Sequence, residues 1–145
     1  MQVGIIGGSD VDGETYRRAE EVGRLLAARG AAIVSGGLSG VMEASAKGAK
    51  SAGGVTIGIV PGSDRGSANR HTDHVIATNM GHARNIIIAH SSDAFIAIGG
   101  EYGTLSEIAI ALKLGKRVVS LGSWDIRGVI KAATPEEAVS LALGG

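Results

Sequence analysis

At 145 residues the chain has the length of one domain, enough for a continuous core but not for two. Fourteen basic side chains balance fourteen acidic ones, so the basic excess or stripe of a duplex-binding protein is missing and nucleic acid is not an expected partner. The absence of cysteine excludes disulfides, thiolate catalysis and sulfur-ligated zinc, and fits a reducing compartment.

Val3-Gly4-Ile5-Ile6 is a short apolar run closed by Gly7-Gly8, and predicts a buried first strand. Residues 14–29 follow with helical spacing. Tyr16, Ala19, Val22, Gly23 and Leu26 share a stripe, Arg17, Arg18, Glu21 and Arg24 face away, and Gly30 is the stop. Residues 31–34 predict a second strand, closed by Ser35-Gly36-Gly37, and a helix should span 40–52. A third strand over 56–60 is stopped by Pro61-Gly62. Residues 62–73 form a polar, turn-rich connection, long for a compact domain. Residues 74–78 predict a short strand, 81–90 a helix, and 93–98 a strongly apolar strand ending in Gly99-Gly100. The helix over 103–114 is expected to bury Leu105, Ile108, Ala109 and Leu112, leaving Glu107 off that face. Residues 117–121 predict a strand and 129–131 a last short one. Thr134-Pro135-Glu136-Glu137 opens a final helix, with a threonine cap, proline in the first position and Glu137 at the capping-box position.

Continuous apolar strands alternating with helices predict an α/β domain over residues 1–145. The fold class is a Rossmann-like, doubly wound, mainly parallel sheet with helices on both faces. The start MQVGIIGGSD lacks the basic region and long apolar run of a signal peptide. No apolar stretch approaches the roughly 20 residues that span a bilayer. The expected location is therefore cytoplasmic, without a membrane partner.

Two strand-to-helix turns share the pattern GGxxG, at Gly36-Gly37-Leu38-Ser39-Gly40 and at Gly99-Gly100-Glu101-Tyr102-Gly103. Gly7-Gly8-Ser9 makes a third turn. Glycine leaves the backbone open to a ligand, and the free amides of a helix's first turn attract anions. In an open parallel sheet such turns gather at the carboxyl edge, where ligands bind. A single turn of this kind would equally mark tight helix packing; two at equivalent positions, with the Gly7-Gly8-Ser9 turn beside them, point to a phosphate-bearing ligand. There is no GxxxxGK[ST], and no GxGxxG follows the first strand, so neither a P-loop nor a standard NAD site is expected.

The segment Gly36-Gly37-Leu38-Ser39-Gly40-Val41-Met42-Glu43-Ala44 resembles the GGGxxGxMxA segment of the LOG-like family, in the SLOG superfamily. Gly99-Gly100-Glu101-Tyr102-Gly103-Thr104-Leu105-Ser106-Glu107 resembles its PGGxGTxxE segment. Gly81-His82-Ala83-Arg84-Asn85 stands where that family has a glycine and then an arginine-lysine pair. Order and spacing are similar over roughly residues 3–121. The resemblance implies a Rossmann-like fold and a homodimer or higher homo-oligomer. It also implies one of two activities. Some members are phosphoribohydrolases that cut the base from nucleoside 5′-monophosphates; others are molybdenum-cofactor carriers that bind a pterin phosphate without turning it over. The family's "lysine decarboxylase" label is not expected to apply. That chemistry needs a buried lysine and a pyridoxal phosphate site, and Lys47, Lys50, Lys113, Lys116 and Lys131 all read as helix-surface or strand-edge residues.

This chain departs from the family pattern in three places. Asn85 replaces the lysine of the pair, Gly99 replaces the proline, and Glu101 puts a carboxylate and a Cβ where the backbone should approach phosphate. These departures resemble the short, carrier-type members. The turns and the resemblance together mark Gly8, Ser9, Gly36, Gly37, Ser39, Gly40, Met42, Arg84, Gly99, Gly100, Gly103, Thr104 and Glu107 as candidate ligand-binding residues. Arg84 would pair with a phosphate or with Glu107. In a hydrolase these two would be the catalytic pair, Glu107 holding the ribose and stabilising an oxocarbenium-like transition state. Thr104, Ser9 and Ser39 would donate hydroxyls to phosphate or simply cap helices. Arg65 and Arg70 read as solvated, with a lid over an anion as the alternative, and His71 and His74 as surface histidines, so no metal is expected. The three isoleucines 86–88 exceed one buried stripe and suggest a self-association face.

The expectation that follows is a binding, carrier-type protein for a phosphorylated nucleotide-like or pterin molecule. No cofactor is required; a nucleoside monophosphate or the molybdenum cofactor would be the bound ligand. The alternatives are a phosphoribohydrolase and an interaction protein that keeps the fold without the ligand.

Overall fold

In the computed structural model, which describes residues 1–145, each β-branched run becomes a strand and each amphipathic run a helix. In chain order these are β1 (Gln2–Gly7), α1 (Gly13–Ala28), β2 (Ala32–Ser35), α2 (Val41–Ser51), β3 (Thr56–Val60), β4 (His74–Ala77), α3 (Asn85–Ser91), β5 (Ala94–Ile98), α4 (Tyr102–Lys113), β6 (Arg117–Leu121), β7 (Ile130–Ala132) and α5 (Pro135–Ala142). All seven strands lie in one sheet in the order β4-β3-β2-β1-β5-β6-β7, and every pairing is parallel. The chain builds outward from β1 to β4, crosses back, and builds β5 to β7 on the other side. The reversal therefore lies between β1 and β5, where Gly7 pairs with Ile98. That is the crevice in which doubly wound sheets bind ligands.

Two apolar layers sandwich the sheet. On one face Val3, Ile5, Ile33, Ile96 and Val119 meet Ala19, Val22 and Leu26 of α1, Ala44 and Ala49 of α2, and Val139 of α5. On the other, Ile6, Val34, Ile59, Phe95 and Val118 meet Ile88 of α3 and Ile108 of α4. Helices α1 and α2 approach at backbone distance. A Cβ on Gly48 would lie 1.8 Å from the Glu20 carbonyl oxygen, and one on Gly23 1.9 Å from that of Ser45. No helix is long and apolar enough to cross a membrane.

Several expectations shift in detail, β2, α1 and α4 each by one residue. Residues 81–90 do not form one helix: Gly81–Arg84 is a 3-10 turn and α3 begins at Asn85. The tighter turn accompanies the descent of Arg84 into the interior, where its Nε donates to the Ile59 carbonyl at 2.8 Å. The buried stripe of α4 is rotated from the expected one. Thr104, Ile108 and Ala111 are buried, Ala109 is exposed, and Glu107 is partly buried. Thr104 tucks beneath Gly100, and this sets the helix phase. The last strand is Ile130–Ala132, one residue later than expected. Thr134 caps α5 by accepting from the Glu137 amide at 3.1 Å, but the Glu137 carboxylate accepts from the Ala133 amide, one residue before the capping-box partner.

Candidate functional site

At the carboxyl ends of β1 and β5 the three glycine turns surround an open cleft of about 590 Å³. Its floor is the end of β1, Ile5 to Gly7, and one wall is the first turns of α4. Of the candidates read from the sequence, Gly8, Ser9, Gly36, Met42, Arg84, Gly100, Gly103, Thr104 and Glu107 border this cleft. The other four stand behind the wall. Gly37 packs its backbone against Gly58 and Val60, and Gly40 against the Gly8 carbonyl. Gly99 faces Thr15. Ser39 donates its hydroxyl to the Ser9 carbonyl at 3.0 Å and borders a smaller neighbouring hollow with Glu43, Ser67 and Asn69.

The two GGxxG turns are not equivalent. At the start of α2, the Val41 amide donates to the Gly8 carbonyl at 3.0 Å, so that helix end ties down the β1 turn. At the start of α4, the first helical bond runs from the Leu105 amide to the Glu101 carbonyl at 2.9 Å, and the Gly103 and Thr104 amides find no acceptor in the protein. The Thr104 hydroxyl makes no hydrogen bond to the protein either, and remains open to the cleft.

Arg84 is the organising side chain. It is only 8% exposed. Nε is anchored on the Ile59 carbonyl and Nη1 on the Asn85 side-chain oxygen, while Nη2 donates to no protein group and keeps contact with solvent. Glycine at position 36 is a steric requirement of this pose, since a Cβ there would lie 2.5 Å from Nη2 and 2.9 Å from Met42 Sδ. Glu107 also faces the cleft with no hydrogen-bond donor from the protein. It interacts with Arg84 through the field without forming a direct ion pair. Burial pushes its carboxyl up to about 7, against the downward pull of Arg84. Burial likewise lowers the pKa of Arg84, opposed by Glu107. The result is a cation immobilised on two neutral oxygens with Nη2 left free, on the same cleft as a carboxyl that receives no hydrogen bond from the protein.

The cleft also includes residues that were not candidates from the sequence: Asp10, Leu38, His82, Asn85 and Glu101. Asn85 and Glu101 stood out only as departures from a motif, and nothing in the sequence marks Asp10 or His82. None of the five lysines borders the cleft, nor do Arg65, Arg70, His71 or His74.

The SLOG cluster4 family matches residues 1–142. This chain belongs to that family. A similar protein from Archaeoglobus fulgidus, described as an uncharacterized protein, is 57% identical over 141 residues, covering 97% of this chain and 93% of that one. The cytokinin riboside 5′-monophosphate phosphoribohydrolase of Mycobacterium tuberculosis is 37% identical over 125 residues, 80% of this chain and 67% of its own. Among solved structures, the molybdenum cofactor binding protein of Rippkaea orientalis superposes with a TM-score of 0.91 at 36% identity, covering 97% of this chain and 93% of that one. The SLOG cluster4 chain thus shares its sheet and helices, nearly end to end, with a molybdenum cofactor binding protein.

Proposed function

We propose that this SLOG cluster4 protein binds a small phosphorylated molecule of nucleotide or pterin type, and that it holds this ligand rather than transforming it. The observation that carries the reading is the pose of Arg84. A guanidinium fixed on two sides with its third nitrogen open to a cleft is a preorganised seat for one anion. The unpaired Gly103 and Thr104 amides and the Thr104 hydroxyl add donors on the α4 wall of the same cleft. Glu107 would accept from ligand hydroxyl or amino groups. The extent of the likeness to the Rippkaea orientalis protein supports a carrier role, and the molybdenum cofactor is one candidate cargo.

Hydrolysis of a nucleoside 5′-monophosphate is the second reading. It is favoured by the presence of Arg84 and Glu107 on one cleft and by the likeness to the mycobacterial hydrolase. Asn85 leaves Arg84 as the one lysine or arginine side chain on the cleft wall. That single fixed cation favours binding over turnover.

The test is incubation with AMP, following adenine release and thermal stability in parallel. Stabilisation without adenine, lost in Arg84→Ala, is the expected result. Adenine release abolished in both Arg84→Ala and Glu107→Ala would replace the binding reading with hydrolysis. Self-association belongs to the same reading; of the isoleucines 86–88 Ile88 is buried in the core and Ile87 half-buried against it, which leaves exposed Ile86 as the candidate contact. Sedimentation of wild type against Ile86→Asp tests it.

A further inference from the structure

The turn between β5 and α4 carries two consecutive left-handed glycines, Gly99 at φ +58° and Gly100 at φ +90°. Such a turn reorients easily unless its peptide groups are tied. The hydrogen bonds that tie residues 99–103 to another segment come from the loop joining β6 to β7. Ser123 donates its hydroxyl to the Gly99 carbonyl at 2.5 Å, and the Trp124 indole donates to the Glu101 carbonyl at 2.9 Å. This loop is itself anchored. The Ser123 amide donates to the hydroxyl of buried Ser120 on β6 at 3.1 Å. Half-buried Trp124 packs against the core layer under α3 and α4 and on the Tyr102 ring, centroids 5.9 Å apart.

Neither Ser123 nor Trp124 borders the cleft, whereas Gly100, Gly103 and Thr104 do. In a trans peptide the carbonyl and the following amide point in opposite directions. Fixing the Gly99 carbonyl on Ser123 therefore turns the Gly100 amide the other way, and that amide has no acceptor in the protein, like those of Gly103 and Thr104. A hydrogen bond accepted by a peptide carbonyl also polarises the amide at its other end and makes it a better donor. Two side chains mark this wall for a ligand independently of the helix end. Thr104 is 3% exposed with its hydroxyl unpaired, and buried Arg84 keeps Nη2 unpaired on the same cleft. We infer that Ser123 and Trp124 are positioning residues for the ligand: from behind the wall they brace the β5–α4 turn so that its free amides are presented to an incoming anion. The inference rests on the binding reading above and adds to it two residues that never touch the ligand. Without the brace the ligand itself would have to order the turn, and affinity falls.

The experiment is calorimetric titration of AMP into wild type, Ser123→Ala, Ser123→Thr and Trp124→Phe, with the Tm of each. Phenylalanine keeps the aromatic packing and removes the N–H; threonine keeps the hydroxyl. Loss of one neutral hydrogen bond from the brace should raise the dissociation constant roughly 2- to 10-fold in Ser123→Ala and in Trp124→Phe. Ser123→Thr should restore the wild-type value. A lowered Tm with unchanged affinity in the folded variants is the signature of a merely structural role, and would overturn the brace while leaving the binding reading intact. Trp124 is the one tryptophan of the chain, so the unaltered protein gives a second readout. AMP should shift its emission although the indole lies outside the cleft; unmoved emission at saturating AMP would also overturn the brace. Failure of the wild type to bind AMP would sink the binding reading and the brace with it.

Discussion

Gly36→Ala isolates the contribution of Arg84 without altering any charge. The backbone at position 36 lies outside the left-handed region, so alanine is conformationally acceptable there. The added methyl would stand 2.5 Å from Arg84 Nη2 and 3.0 Å from its Cζ, where ordinary contacts need about 3.5 Å or more. A free side-chain end would swing aside. Arg84 cannot do so cheaply, because Nε and Nη1 are tied to Ile59 and Asn85. Relief therefore breaks at least one of these anchors or pushes Met42 away, at about 1–3 kcal/mol of stability. More telling is the effect on an anion. Displacing Nη2 from its seat removes a charge-assisted hydrogen bond of about 1.5–3 kcal/mol, a loss of roughly 10- to 150-fold in affinity. Calorimetric titration with AMP would measure it on Gly36→Ala, Arg84→Ala and the double variant. If the methyl acts through Arg84, the double variant is no worse than Arg84→Ala. Additive losses, or Gly36→Ala binding AMP as well as the wild type, would refute the reasoning.

Two further predictions concern stability. The Glu107 carboxyl holds its proton more tightly when folded, at about 7, than at its ordinary value of 4.5. The folded state then binds more protons than the unfolded one across that window, so stability falls as pH rises through it. The full difference of 2.5 pH units corresponds to at most about 3 kcal/mol. Glu107→Gln should therefore raise Tm at pH 8, by on the order of 5 °C, and leave it unchanged at pH 4; no gain at pH 8 would mean that Glu107 is fully solvated. Gly48→Ala would force a methyl to within 1.8 Å of the Glu20 carbonyl oxygen and should cost about 3 kcal/mol or more in a urea titration. A loss under about 0.5 kcal/mol would show that α1 and α2 slide apart freely.

The alternation of apolar runs with amphipathic ones was enough to place every strand and helix to within a few residues, because strand and helix periods are local properties. The glycine turns announced a site at the carboxyl edge for the same reason: each lies in one short stretch of chain. What the stretch could not reveal was how its residues are used. Gly36 and Gly37 are neighbours in one motif, yet one makes room for Arg84 and the other packs on β3. The amides that open α2 and α4 follow the same pattern, the second and third of each helix being unpaired, but Gly8 from a distant turn takes the first amide of α2, that of Val41, while that of Tyr102 stays free. Glu107, read as off the apolar face, is carried inward by the phase that Thr104 sets beneath Gly100. Asp10 and His82 have no signature of their own and share the cleft only because the turn after β1 and the 3-10 turn before α3 meet in the packed structure. Pattern along the chain determined the elements and their turns. Which side chains share a dielectric, a cavity and a field depends on distances between segments far apart in sequence, and only the packed structure sets those.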